Sequence, residues 1–102
     1  MADWFTADDG AVRLLPPAPN PMRDRTTVAF TLPAAGTARL AIHDVTGRHV
    51  RTLVDGPVAA GRHEVQWDGR DGAATAVAAG VYFARLQADG GIVRTVKVHR
   101  IR

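Results

Sequence analysis

The chain has 102 residues, 46% of them hydrophobic, and carries a formal net charge of +3. This length suits one domain with a single modest core, and the composition excludes a mainly disordered chain. Cysteine and serine are both absent, which excludes disulfides, thiolate metal sites, cysteine nucleophiles and the commonest hydroxyl nucleophile.

Basic residues follow the whole sequence from Arg13 to Arg102 and form no cluster along it. A nucleic-acid-binding domain concentrates such residues on one face among stacking aromatic residues, so we expect no nucleic-acid partner. No apolar run approaches the about 18–20 residues that a membrane span requires, so none is predicted. The acidic start, MADWFTADDG, lacks the apolar stretch of a signal peptide, which predicts a cytosolic chain or a piece of a longer precursor.

The N-terminal segment, residues 1–13, shows no sustained period and is interpreted as a flexible arm or linker. Trp4 and Phe5 form an aromatic pair that suits a partner contact, although docking onto the domain's own surface is the simpler interpretation. A short strand candidate, Val12 to Leu15, is followed by four closely spaced prolines. Because prolines block ladder hydrogen bonds, this stretch is predicted to lie at a sheet edge or corner.

Alternating apolar residues predict strands along the rest of the chain. In TTVAFTL, residues 26–32, large apolar residues alternate with threonine and alanine. The turn at 33–36 then predicts a hairpin between this strand and the next, 37–44. The following strand, 49–54, is expected to end before Asp55-Gly56-Pro57.

Three more strands are predicted downstream, at 63–68, 80–88 and 92–102. In the strand at 63–68, alternation puts Trp67 among the inward-facing residues, and in the strand at 80–88 it puts Tyr82 there. This makes seven strand candidates at intervals of about 8–13 residues with no helical period. The pattern predicts an all-β fold, an antiparallel immunoglobulin-like (Ig-like) β-sandwich over residues 14–102.

The stretch EVQWDGRDG, residues 64–72, contains the best metal candidates. Calcium binds about six to eight oxygens, whereas Asp68 and Asp71 are two acids with Arg70 between them as a competing cation. Asp-Gly is also the dipeptide that a tight turn favours. We therefore interpret the stretch as the end of a strand, with Asp68 and Asp71 as weak calcium candidates, and predict no cofactor.

Other sites have little support in the sequence. The histidines, at positions 43, 49, 63 and 99, lack the close pairing that zinc sites favour. The chain has one glutamate, and its aspartates lie mostly in predicted turns. These residues do not suggest the pair of carboxylates that flanks a catalytic cleft, so no enzyme activity is expected. Trp67 and Tyr82 are candidates for a sugar-binding platform, but their strand parity favours the core.

Four stretches in succession resemble a known family. They are PNPMRDRTTVAFTLP (19–33), ARLAIHDVTGRHVRTLV (38–54), AAGRHEVQWDGRD (59–71) and AAGVYFARL (78–86), and TVKVHRIR closes the chain. Together they resemble the C-terminal secretion-sorting domains of type IX secretion cargo and the related Ig-like domain of flagellar hook-capping (FlgD-like) proteins. The hallmark residues of the family fall on Asn20, Pro21, Thr27, Asp44, Gly47, Arg48, Gly61, His63, Trp67, Asp68, Gly69, Gly80, Val81 and Tyr82.

Physical roles follow for several hallmark residues. The glycines are predicted at turn positions that a side chain would strain. Trp67 is expected at the centre of the core, and Tyr82 at a strand corner that its hydroxyl anchors. Asp68-Gly69 then terminates a strand and carries no reacting group.

The resemblance implies a noncatalytic domain at the C-terminus of a larger secreted or cell-surface bacterial protein, where a type IX secretion apparatus reads it. The last strand would carry the recognition surface, with Lys97, Arg100 and Arg102 exposed for an acidic protein partner.

A second interpretation is a structural Ig-like subunit that self-assembles in an extracellular filament, surface layer or flagellar cap. Its edge strands, or the arm with Trp4 and Phe5, would make the contacts between subunits. A third interpretation is a carbohydrate-binding accessory module.

Overall fold

The computed structural model describes residues 12–101, which form two antiparallel sheets. The strands are β1 (Arg13–Leu14), β2 (Thr26–Leu32), β3 (Gly36–Asp44), β4 (His49–Val58), β5 (Gly61–Trp67), β6 (Gly80–Ala88) and β7 (Ile92–Arg100), and a 3₁₀ turn, Asp89–Gly91, joins β6 to β7. The strand order is β1-β2-β5 in one sheet and β4-β3-β6-β7 in the other. The predicted all-β sandwich is confirmed.

The predicted arm, residues 1–13, lies outside the described residues apart from its last two positions. Of these, Val12 is buried, and Arg13 is the first residue of β1, opposite Thr31. Trp4, Phe5 and Arg102 also lie outside. Within residues 12–101, no helix has the length and hydropathy that crossing a membrane would require.

The core lies between the two sheets and consists of the inward residues of each strand. Phe30 of β2, Leu40 and Ile42 of β3, Leu86 of β6 and Trp67 of β5 are all fully buried. Removing side chains of this size from water stabilises the fold by about 1.5–3 kcal/mol each. The inward faces predicted for β2, β5 and β6 are confirmed, and β3 follows the same rule, because alternation along a strand places every second residue on the same side.

The predicted hairpin between residues 26–32 and 37–44 is wrong. β2 pairs with β1 and β5, whereas β3 pairs with β4 and β6, so the turn at 33–36 crosses from one sheet to the other. A hairpin would set the apolar faces of β2 and β3 side by side in one layer. Placing the strands in facing layers lets those two faces cover each other.

The predicted end of the fourth strand at Val54 is also wrong, because β4 continues to Val58. Gly56 and Pro57 pair with Ala38 and Thr37 of β3. β4 lies at the edge of its sheet and needs hydrogen bonds on one side alone, so a proline does not end the pairing.

Candidate functional site

The hallmark residues of the motifs gather mainly at one end of the sandwich. Three connections meet there: 15–25 between β1 and β2, 45–48 between β3 and β4, and 68–79 between β5 and β6. We call this the motif end. A cleft of about 500 Å³ opens between the second and third connections, and its lining includes Asp44, His49, Asp71 and Tyr82.

Trp67 and Tyr82 pack against each other at the motif end. Their ring centroids are 5.4 Å apart with an interplanar angle of 67°, an edge-to-face geometry worth about 0.5–1.5 kcal/mol beyond burial. The Trp67 indole N–H donates to the Arg70 carbonyl (2.9 Å), and the Tyr82 hydroxyl donates to the Ala78 carbonyl (2.6 Å). Trp67 is fully buried and Tyr82 is 8% exposed, so the two rings are core residues and not a sugar platform.

Burial also affects the Tyr82 phenol. Desolvation raises the pKa of Tyr82, and the nearby positive charge of Arg100 opposes this shift. The neutral hydroxyl is therefore the stable form in the folded protein, and it is the form that can donate to the Ala78 carbonyl. The hydroxyl anchor expected from the sequence is present in the structure.

The Asp44 carboxylate holds the turn between β3 and β4. Its Oδ1 accepts hydrogen bonds from the Thr46 hydroxyl (2.7 Å) and from the backbone N–H groups of Thr46 and Arg48 (both 3.0 Å). Its Oδ2 forms an ion pair with Arg48 Nε at 3.3 Å. The bond from the Thr46 hydroxyl is the largest cause that lowers the pKa of Asp44, and desolvation opposes it. Gly47 closes the turn with a φ of +88°.

Asp68 and Asp71 each stabilise their own part of the next connection. Oδ1 of Asp68 accepts hydrogen bonds from the Arg70 backbone N–H (3.1 Å) and the Arg51 guanidinium (3.2 Å). Oδ1 of Asp71 accepts from the backbone N–H groups of Ala73 (2.9 Å) and Thr75 (3.0 Å).

The two weak calcium candidates line different clefts, and only the Asp71 cleft also contains Asp44. Among residues 12–101, no three histidine or acidic side chains come together in a group that could hold a metal ion. The geometry shows two separate turns, each with one carboxylate at its centre. It supports the turn interpretation of EVQWDGRDG.

The side chain of Asn20 makes hydrogen bonds to the free edge of β7, a role that the sequence did not predict. Nδ2 donates to the Lys97 carbonyl (3.1 Å), and Oδ1 accepts from the His99 backbone N–H (2.9 Å). The Met22 N–H then donates to the His99 carbonyl, and the Ile101 N–H donates to the Met22 carbonyl, both at 2.8 Å. Residues 20–22 therefore act as a strap along the C-terminal half of β7. These contacts join residues 77 to 79 positions apart, so no local pattern reveals them.

Other hallmark residues lie where strands begin or connect. Pro21 is the middle residue of the strap, and Thr27 exchanges two backbone hydrogen bonds with Ala18 at 2.9 and 3.1 Å. Gly61 and Gly80 are the first residues of β5 and β6. These positions agree with fold-forming roles.

Gly69 makes room for the side chain of Arg100. Gly69 is buried with a φ of +73°, and a Cβ built on it would lie 2.5 Å from Arg100 Nε. Arg100 is half-buried, and its Nε has no hydrogen-bond partner in the described part of the chain. The prediction that Arg100 is exposed is therefore wrong, because its guanidinium fills the space beside the glycine. Lys97 is exposed, as predicted.

Comparisons with known proteins agree with this fold. The solved structure of PorZ, described as an essential bacterial surface component of the type IX secretion system of Porphyromonas gingivalis, matches with a TM-score of 0.61 and 22% identity. Dimeric latent PorU from the same organism matches with a TM-score of 0.70 and 21% identity. The matches cover 95% and 89% of this chain but 12% and 9% of PorZ and PorU, respectively. At these identities, the likeness shows the fold alone.

The sequence comparisons identify the family. A search of curated proteins finds no match. The family model of the FlgD Ig-like domain matches residues 22–92, which is well over half of the chain. This match confirms the resemblance seen in the motifs, and the chain belongs to the FlgD Ig-like domain family.

Proposed function

We propose that this domain is a noncatalytic module of a larger secreted or cell-surface protein, and that a type IX secretion apparatus recognises it as a sorting or attachment signal. One observation carries the proposal: nearly the whole chain corresponds to about a tenth of PorZ and of PorU, and PorZ is described as a surface component of that system. A sandwich that recurs as a small part of larger chains supports a module that works through protein contacts. A location outside the cell, as part of a longer precursor, follows from the proposal.

The chemistry of the motif end supports a noncatalytic role. The carboxylates of Asp44, Asp68 and Asp71 each accept hydrogen bonds from backbone N–H groups of their own turns. A general acid or base must instead reach the proton that it transfers in the substrate. The Tyr82 hydroxyl donates to a backbone carbonyl. These groups stabilise turns, which suits a surface recognised by its shape and charge.

Strand β7 supplies the recognition surface in this proposal. It is an edge strand, and the strap covers only the C-terminal half of its free edge. Lys97 is exposed on the outer side of β7. Arg100 contributes to the shape of the motif end through its contact with Gly69.

Export of a fused reporter tests the proposal. The full chain is attached to the C-terminus of a periplasmic reporter in a bacterium that has a type IX apparatus. We expect the reporter in the medium or on the cell surface, and its retention when the apparatus is deleted. Lys97→Glu should reduce export, whereas Arg62→Glu, the same charge change on β5 of the opposite sheet, should not. A folded domain that leaves the reporter in the periplasm would refute the proposal.

Self-assembly through edge strands is the second candidate, and the free edge of β7 favours it. Within residues 12–101, no strand pairs with the N-terminal half of this edge. Exposed strand edges of this kind can pair with another chain. A subunit of an assembly should form dimers or larger species by light scattering, and Trp4→Ala should abolish them if the arm makes the contact. A monomer at all soluble concentrations would exclude this candidate.

A further inference from the structure

The outer face of the four-stranded sheet carries cations on three neighbouring strands, and none of them forms an ion pair with another described residue. Inward residues such as Leu40, Tyr82 and Val98 are buried in the core. Strand alternation therefore places Arg39 of β3, Arg85 of β6 and Lys97 of β7 on the opposite, outer side. All three side chains are exposed. We call this surface the cationic face.

The register of the sheet places these three charges in one diagonal row. Arg39 lies opposite Gln87, two residues along β6 from Arg85. Arg85 lies opposite Thr95, two residues along β7 from Lys97. Each step of the row is therefore a cross-strand diagonal, a separation of about 7–8 Å.

Of the three cations in this row, only Arg39 has an acid as a direct cross-strand neighbour within the described residues. In the described part of the chain, neither Arg85 nor Lys97 forms an ion pair, and Arg39 makes a 3.5 Å hydrogen bond to the Thr52 hydroxyl. Asp55 lies opposite Arg39 on the edge strand β4. In the other sheet, by contrast, the exposed Arg62 pairs with Glu64 at 2.9 Å.

Apolar groups lie beside the row. Phe83 is half-buried between His43 and Lys97, and Val93 is 36% exposed near the start of β7. Arginine and aromatic residues beside apolar surface are typical of protein interfaces. Single-stranded nucleic acids are held by successive stacking aromatics, and Phe83 alone does not provide that arrangement.

We propose that the cationic face binds an extended acidic peptide segment of a protein partner, with carboxylates on alternate residues. Side chains on one side of an extended chain recur every second residue, at about 6.6–6.8 Å. This spacing is slightly shorter than the steps of about 7–8 Å in the diagonal row, a difference that the long side chains of arginine, lysine and glutamate can span. Three alternate carboxylates then lie against Arg39, Arg85 and Lys97. The inference rests on the proposed function, since it gives the chemistry of the partner that the module recognises.

Binding of synthetic peptides to the full chain tests this inference. The probe is a seven-residue peptide, Thr-Glu-Thr-Glu-Thr-Glu-Thr, and its isomer has the same composition with the three glutamates consecutive. We expect the alternating peptide to bind more tightly in calorimetric titration. Arg85→Ala should weaken binding about two- to five-fold, the range of an exposed ion pair. Arg62→Ala removes the same charge from the opposite sheet and should leave the affinity unchanged.

Several results would overturn the inference. Equal binding of the two isomers, or equal losses in the two arginine variants, would show attraction by net charge alone. Tighter binding of heparin or duplex DNA than of the peptide would assign the face to another class of polyanion. If the double variant Asp8→Asn/Asp9→Asn binds the peptide tenfold more tightly, the acidic N-terminal residues of this chain compete with the peptide. That result would make those residues the occupant of the face. Export that persists without peptide binding refutes this inference alone, whereas peptide binding without export refutes the proposed function alone.

Discussion

Replacing Gly69 by alanine tests whether the contact with Arg100 is part of the stability of the motif end. The added Cβ would sit at a φ of +73°, a left-handed conformation that costs an L-residue about 1–2 kcal/mol. It would also lie 2.5 Å from Arg100 Nε and 3.0 Å from Nη2. Contacts this close force the half-buried guanidinium out of its place.

Gly47→Ala separates the two contributions. Gly47 has a φ of +88°, and an added Cβ there would have nothing within 4 Å. Gly47→Ala should lower the free energy of unfolding by the cost of backbone strain alone, about 1–2 kcal/mol. Gly69→Ala should lose about 1 kcal/mol more, the low end of the cost of overpacking, because the crowded atoms lie at the far end of a flexible side chain.

Urea unfolding followed by tryptophan fluorescence measures both variants, because Trp67 is fully buried beside the motif end. Adding Arg100→Ala to Gly69→Ala removes the crowded side chain and should recover most of the extra loss. The double variant should then resemble Gly47→Ala in stability. The reasoning is refuted if Gly69→Ala costs no more than Gly47→Ala, or if Arg100→Ala recovers nothing.

Three further predictions concern hydrogen bonds at the motif end. Tyr82→Phe should lose about 0.5–1.5 kcal/mol of unfolding free energy. The raised pKa of Tyr82 stabilises the protein below the ordinary tyrosine pKa, and this contribution is lost as the pH rises through the raised value. Unfolding at alkaline pH, with tyrosinate absorbance of the chain's one tyrosine, checks this, and an equally steep fall in Tyr82→Phe would contradict it. Asn20→Ala removes two hydrogen bonds to β7 and should lose about 1–3 kcal/mol. Amide hydrogen exchange at His99 should accelerate, and unchanged protection would contradict these hydrogen bonds. Asp44 has a lowered pKa, so its contribution is present above the ordinary aspartate pKa and lost as the pH falls through the lowered value. Asp44→Asn should therefore flatten the acid limb of the stability profile, and an unchanged limb would count against the carboxylate.

The motifs predicted local turns well because their contacts are short in sequence. Asp44 bonds to groups two and four residues later, and Asp71 does the same within its own connection. Glycine and aspartate types at fixed offsets are sufficient to indicate such turns. The hydroxyl bond of Tyr82 also spans only four residues. The predictions that depended on how strands pair, such as the hairpin between β2 and β3, had no comparable local information.

Several features of the candidate surfaces could not be predicted, since they join residues far apart in the chain. The hydrogen bonds of Asn20 to β7 and the contact of Gly69 with Arg100 both need the finished sandwich. The cations likewise form no cluster in the sequence. They become a row because β3, β6 and β7 are neighbours in one sheet.

The sequence by itself determined where the strands run, apart from the end of β4, and which side of the strands with alternating apolar residues faces the core. The physical reason is that burial of one strand face imposes a two-residue period on apolar side chains. Only the tertiary structure decided which strands share a sheet, where the strap lies, and how Arg39, Arg85 and Lys97 align. Strand order and register arise from contacts between distant segments, and a two-residue period is the same for every partner that a strand could have.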